Sequence, residues 1–103
     1  MNVQKLMKEA QRAQKKMAEA QERLAAMTVE GSAGGGLVRV TATGDGSITA
    51  VVIDPSAVDT EDLSLLEDLV TAAVADAQRR SRELQESEMG SAVGGLGSMP
   101  GLF

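Results

Sequence analysis

Residues 34–55 read Gly34-Gly35-Gly36-Leu37-Val38-Arg39-Val40-Thr41-Ala42-Thr43-Gly44-Asp45-Gly46-Ser47-Ile48-Thr49-Ala50-Val51-Val52-Ile53-Asp54-Pro55. Two runs rich in β-branched residues flank Gly44-Asp45-Gly46, the pattern of a β-hairpin. Val38, Val40 and Ala42 alternate with Arg39, Thr41 and Thr43, so the first strand has one apolar and one polar side. The second strand, with Ile48, Val51, Val52 and Ile53, is almost wholly apolar, as expected of a strand covered on both faces. Pro55 ends it by removing a ladder donor. A two-stranded hairpin is marginal alone in water and needs another element laid across it. The segments before and after the hairpin both carry helical patterns, so function is to be sought on those two arms.

The chain has 103 residues, enough for one domain and no second core. Its only aromatic residue is Phe103. Aromatics usually contribute large buried areas to small cores, so a lone protomer is under-supplied and a homo-oligomer is expected. There is no cysteine and no histidine. Disulfides, ordinary zinc sites and His-based acid/base chemistry are therefore excluded. No metal or other cofactor is expected, nor a small-molecule substrate. No apolar run approaches membrane-spanning length and the N-terminus lacks an apolar signal core, which predicts a cytoplasmic protein without a membrane partner.

The net charge of −5 argues against nucleic acid until its distribution is considered. Residues 1–27 carry six basic and three acidic groups, residues 28–76 one and nine, and residues 77–103 three of each. Acid therefore gathers around the sheet and the start of the second helix, and base on the first helix.

Val3, Leu6, Ala10, Ala13, Met17, Ala20, Leu24 and Met27 follow alternating three- and four-residue steps. This is an a/d packing seam on a helix predicted over residues 3–27. Lys5, Lys8, Arg12 and Lys15, with Lys16 at the edge, form a basic stripe on the outer positions. Lys8–Arg12 and Arg12–Lys16 are unfavourable i,i+4 pairs, whereas Glu19–Arg23 is a favourable one. Lys5 also opposes the helix dipole in the first turn. Two readings of the stripe stay open: an anion-binding surface, or an ordinary solvated face.

Thr28–Ser32 suits a short edge strand, and Gly34-Gly35-Gly36 reads as a turn. A phosphate cradle would need a helix directly after those glycines, and a strand follows instead. Asp54, Asp59, Glu61, Asp62, Glu67 and Asp68 lack the ligand alternation of a calcium loop. They suit a helix N-terminus, with Asp59 or Thr60 as N-cap and Ser64-x-x-Glu67 as a possible capping box. Leu63, Leu66, Leu69, Val70, Ala73, Val74 and Ala77 then mark a second helix, predicted over 60–88, whose distal part carries Arg79, Arg80 and Arg82. Residues 90–103 are Gly-rich and predicted disordered.

If both helices leave the same sheet and pair along their seams, they run antiparallel. Lys5–Lys16 and Arg79–Arg82 would then share the distal half of the arm as one basic surface.

Leu6-Met7-Lys8 in a Gln/Lys/Met-rich helix is followed by Gly36-Leu37-Val38-Arg39-Val40, Ile53-Asp54-Pro55, Leu66-Glu67-Asp68-Leu69-Val70, Ala72-Ala73 and Asp76-Ala77. The tail carries Gly94-Gly95-Leu96 and then Pro100-Gly101-Leu102-Phe103. Together and in this order these segments resemble the YbaB/EbfC family of small bacterial nucleoid-associated proteins. The resemblance implies an α/β (α+β) protein with a long N-terminal helix, a small antiparallel sheet of about three strands and a C-terminal helix. It further implies a tweezer-like homodimer in the nucleoid whose helical arms bind double-stranded DNA, with a link to gene expression or to recombination and repair. Family DNA binding is associated with the helices, which here carry Lys8, Arg12, Lys15, Lys16, Arg79 and Arg80. Ala75 stands where the family usually has Asn.

The leading functional expectation is a non-enzymatic DNA-binding homodimer that contacts phosphates through Lys5, Lys8, Arg12, Lys15, Lys16, Arg79, Arg80 and Arg82. Such binding is salt-sensitive and largely indifferent to sequence. A single-strand reader is disfavoured by the lack of aromatic stacking platforms. The alternative, from another class, is a helical protein–protein adaptor or small chaperone.

Overall fold

The computed structural model describes residues 2–92; of the tail predicted disordered over 90–103, residues 90–92 instead continue the last helix, and the rest lies outside the described residues. The chain runs α1 (Val3–Ala26), β1 (Thr28–Ala33), β2 (Val38–Thr43), β3 (Ile48–Ile53), a short 3-10 turn (Pro55–Ala57) and α2 (Ser64–Ala92). It is elongated, 71 × 26 × 16 Å. Long N-terminal helix, three-stranded antiparallel sheet and C-terminal helix are the elements expected from the sequence.

Asn2 starts α1: its side-chain oxygen accepts the Lys5 backbone N–H at 3.2 Å, satisfying one orphan donor in a first turn that has no acid. The sheet has strand order β1-β2-β3. Gly34, Gly35 and Gly36 all take positive φ, which lets the four residues 34–37 reverse the chain between β1 and β2. At the second hairpin Gly46 has φ 97° and donates to the Thr43 carbonyl at 3.0 Å. The ladder pairs Thr41 with Ala50 and Ala42 with Ile48, leaving Thr49 bulged out between them.

Helix α2 crosses one face of the sheet. Ala73 and Ala77 pack with Val38, Val40 and Ala42 as the buried core, and Val29, Ala33, Leu66, Leu69, Val70 and Val74 close around it. Small residues four apart allow this close approach. Gly31 of β1 completes it, because a Cβ there would lie 2.6 Å from the Ala73 carbonyl oxygen. On the outer side of β1 the Ser32 N–H donates to Asp76 at 3.0 Å, so α2 also binds a donor of this strand.

Four expectations need correction. The first concerns α2, which begins at Ser64 rather than residue 60. The Leu63 carbonyl accepts the first helical bond, from the Glu67 N–H, and just before it the Asp62 carboxylate accepts the Ser64 N–H at 3.0 Å, so neither Asp59 nor Thr60 caps the helix. Asp59 instead holds a separate turn through the Glu61 N–H at 3.0 Å. Second, β3 is not covered on both faces. Because α2 lies over β1 and β2, all six residues of β3 are exposed, with Ile48 and Ile53 at 39%, Val51 at 45% and Val52 at 50%. Third, the α1 seam is buried only at Ala20 and Leu24 and half-buried at Ala13 and Met27, while Val3, Leu6, Ala10 and Met17 are exposed. Fourth, Arg23 does not turn to Glu19. It bonds Glu88 of α2 across the two helices, Nε to Oε2 at 3.2 Å.

Candidate nucleic-acid interface

The basic stripe follows from helical geometry. At 100° per residue Lys5, Lys8, Arg12, Lys15 and Lys16 fall within an arc of roughly 100°, about 130° around α1 from the apolar seam. All five are exposed. From Lys5 to Lys16 the stripe is about 17 Å long at 1.5 Å per residue. Among the described residues none of these five forms a salt bridge; the ion pairs present use Arg23, Arg79 and Arg80.

The arginines of α2 sit in a different setting. Arg79 reaches Asp76 at 2.7 Å and Glu83 at 2.8 Å, and Arg80 reaches Asp76 at 3.3 Å. The Ser32 N–H, then Arg79 and Arg80, hold the Asp76 carboxyl down at about 2. In return its hydrogen bond with Asp76 raises the pKa of Arg79. Arg82 is exposed and makes no ion pair among the described residues.

The two basic groups are not one surface. Arg23 meets Glu88, while Leu24 packs by Gly44 and Gly44 bonds Ser81, so α1 and α2 run antiparallel as expected. From the Arg23–Glu88 pair, Arg82 lies about 9 Å back toward the sheet and Lys16 about 10 Å outward. Ala92 reaches only to about the level of Glu19. Lys5–Lys16 therefore project beyond the described end of α2. The expected merging fails because α2 spends its first half crossing the sheet.

Sequence reasoning missed how α1 is held. Ser81 is 1% exposed, and its hydroxyl lies 3.0 Å from both the Thr43 and Gly44 carbonyl oxygens. Gln85 Nε2 also donates to the Gly44 carbonyl, at 2.9 Å. The signal was present: Ala73, Ala77 and Ser81 are spaced by four, so a polar residue stands in line with the buried stripe and must find acceptors. Among the described residues no group of acidic side chains forms a metal cluster, and no helix is long and apolar enough to cross a membrane.

The profile of the YbaB/EbfC DNA-binding family matches residues 1–96. This chain belongs to that family. A nucleoid-associated protein of Thermus thermophilus is 53% identical over 103 residues, covering 98% of this chain and 97% of that protein. A nucleoid-associated protein of Streptomyces avermitilis is 50% identical over 103 residues, covering 98% and 91%. The crystal structure of an uncharacterized protein from Helicobacter pylori shares the fold, with a TM-score of 0.75 at 22% identity over 84% of this chain and 91% of that one. YbaB/EbfC membership places the chain among DNA-binding proteins rather than enzymes.

Proposed function

We propose that this protein is a nucleoid-associated homodimer that binds duplex DNA through phosphate contacts made by Lys5, Lys8, Arg12, Lys15 and Lys16 of each α1, with Arg82 as a lesser contributor. One observation carries the reading: these five cations stand exposed and without ion pairs among the described residues, whereas Arg79 and Arg80 are engaged by Asp76 and Glu83. Cations already paired to carboxylates have less to offer a phosphate, so the two arginines have a mainly structural role in this reading.

The dimer rests on β3. It is an edge strand whose side chains are nearly all apolar, yet the described protomer leaves them about half-exposed. An exposed apolar edge strand is a template for pairing with another chain. A second copy of β3 supplies the missing cover and leaves both α1 arms projecting.

Analytical ultracentrifugation followed by binding to several unrelated duplexes across a salt series tests the reading. A dimer that binds all of them alike, with affinity falling as salt rises, is the expected result. A monomer, or a dimer with no affinity for duplex DNA at low salt, overturns it. A second reading, the helical adaptor, is favoured by exposed Val3, Leu6 and Met7 on α1. It predicts binding to a partner helix that survives loss of the basic stripe.

A further inference from the structure

The arm α1 is 24 residues long, but only its last turns touch the body of the protomer. Those turns pack mainly along the distal half of α2, and at the root of the arm they also meet one residue of the β2–β3 turn. The Gly44 N–H donates to the Met27 carbonyl, the C-cap of α1, at 2.9 Å. The Gly44 carbonyl accepts from Ser81 and Gln85 of α2 at 3.0 and 2.9 Å. Its α-carbon faces Leu24, and a Cβ there would lie 2.5 Å from the Leu24 carbonyl oxygen. Gly44 does not have positive φ, so its backbone conformation does not demand glycine. Close approach to α1 does. Beside this contact a cleft of about 350 Å³, lined by Gln21, Leu24, Asp45, Gln85 and Met89, leaves α1 room to swing.

We infer that Gly44, clamped by Ser81 and Gln85, is the pivot that fixes the direction of α1. These three are positioning residues: they aim Lys5–Lys16 at phosphates without touching DNA, and in this they rest on the DNA reading above. The lever is long. A Cβ at residue 44 displaces the Leu24 backbone by roughly 1 Å, acting about 4.5 Å from the Met27 end of the helix. That rotates α1 by about 12° and carries Gln4, about 34 Å from the same end, through roughly 7 Å. Movement on this scale takes the stripe out of register with a duplex.

The chain has no cysteine, so spin labels placed through Gln4→Cys and Asp68→Cys report the arm direction. Labelled protein diluted in unlabelled protein gives the distance within one protomer by pulsed electron resonance, with no DNA present. Gly44→Ala is expected to shift that distance by several ångströms, and Ser81→Ala, which keeps the glycine, to broaden it. Val74→Ala trims the core on α2 away from the pivot and is expected to leave the distance unchanged.

Duplex affinity follows the arm in both pivot variants. If two of about six phosphate contacts are lost, the slope of log K against log salt flattens by about 1.8. In the Val74→Ala control the slope stays at the wild-type value. Should Gly44→Ala fail to fold, Ser81→Ala and Gln85→Ala carry the test. Unchanged distances in the pivot variants overturn the pivot. A displaced arm with wild-type affinity and slope overturns the positioning role, provided that removing the stripe lysines does weaken binding. If removing them has no effect, it is the DNA reading that fails, and the distances alone then decide the pivot.

Discussion

Replacing Lys8, Arg12, Lys15 and Lys16 together by Gln separates a phosphate-binding stripe from a merely solvated one. Gln matches Lys and Arg in helix propensity, so α1 is kept. The change removes two like-charge i,i+4 pairs, Lys8–Arg12 and Arg12–Lys16, together with the attractive neighbours Glu9–Arg12, Lys15–Glu19 and Lys16–Glu19, so the terms largely offset and helix stability should change by less than about 1 kcal/mol. None of the four side chains forms a salt bridge among the described residues, so no carboxylate loses an ion-pair partner by their removal. If each arm of a dimer engages about three phosphates, log K falls against log salt with a slope near −5.4. With Lys5 alone left on each arm, about two contacts remain and the slope is near −1.8. Between 50 and 200 mM salt the wild type then loses about 2,000-fold in affinity and the variant about 12-fold. Fluorescence anisotropy with a labelled duplex measures both slopes, and urea denaturation measures stability. A variant with the wild-type slope on several unrelated duplexes would show that the stripe does not bind phosphates. Loss of binding accompanied by loss of stability would refute the separation of the two roles.

Three other substitutions probe the remaining links. Val51→Asp places a carboxylate on the edge strand β3, at a half-exposed position beside Val40 on the face that α2 covers only in part, and is expected to convert the dimer to monomer in ultracentrifugation; an unaffected dimer moves the interface elsewhere. Gly31→Ala sets a Cβ 2.6 Å from the Ala73 carbonyl and should cost about 1–3 kcal/mol in denaturant unfolding, because α2 must lift off the sheet; a neutral effect would mean that α2 rides loosely. Asp76→Asn should destabilise at neutral pH. The folded-state pKa of Asp76 is lowered from 3.8 to about 2, so its contribution is present above 3.8 and is lost as pH falls through about 2. The gap between wild type and variant, followed by thermal melts, should therefore close between pH 4 and pH 2, and a gap that persists at pH 2 would contradict the assignment.

Local rules made much of the fold readable. The alternation of Val38, Val40 and Ala42 placed one face of β2 against a helix, and that face is the core. The turn at Gly44–Gly46 and the heptad run of α1 also lay in adjacent residues whose spacing suffices. The start of α2 was harder, because Asp59, Asp62 and Ser64 all suit a cap and only the path of the chain after Pro55 selects among them. The arm was misjudged for a related reason. Antiparallel helices were inferred correctly, but the length of α2 consumed in crossing the sheet is a tertiary quantity. It decides that Arg79–Arg82 lie near the body while Lys5–Lys16 extend past it.

The apolar run of β3 shows where sequence periodicity stops being informative in principle. Ile48, Val51, Val52 and Ile53 carry the signature of a strand that avoids water on both faces, and that much is encoded. The signature is silent about whose atoms exclude the water. A helix of the same chain and a second copy of the chain impose the same demand on side-chain chemistry. In the protomer α2 lies over β1 and β2 and leaves β3 about half-exposed; in the proposed dimer a second copy supplies the remaining cover. The basic stripe has the opposite logic. Its repulsive pairs and its cation in the first turn work against α1 as an isolated helix, and the neighbouring Glu9 and Glu19 form no salt bridge with it among the described residues. Strand and stripe both keep capacity for a partner, the first as half-exposed apolar surface and the second as cations without salt bridges among the described residues. A homodimer holding a phosphate backbone between its arms completes both, which is why the two halves of the proposal belong to one assembly.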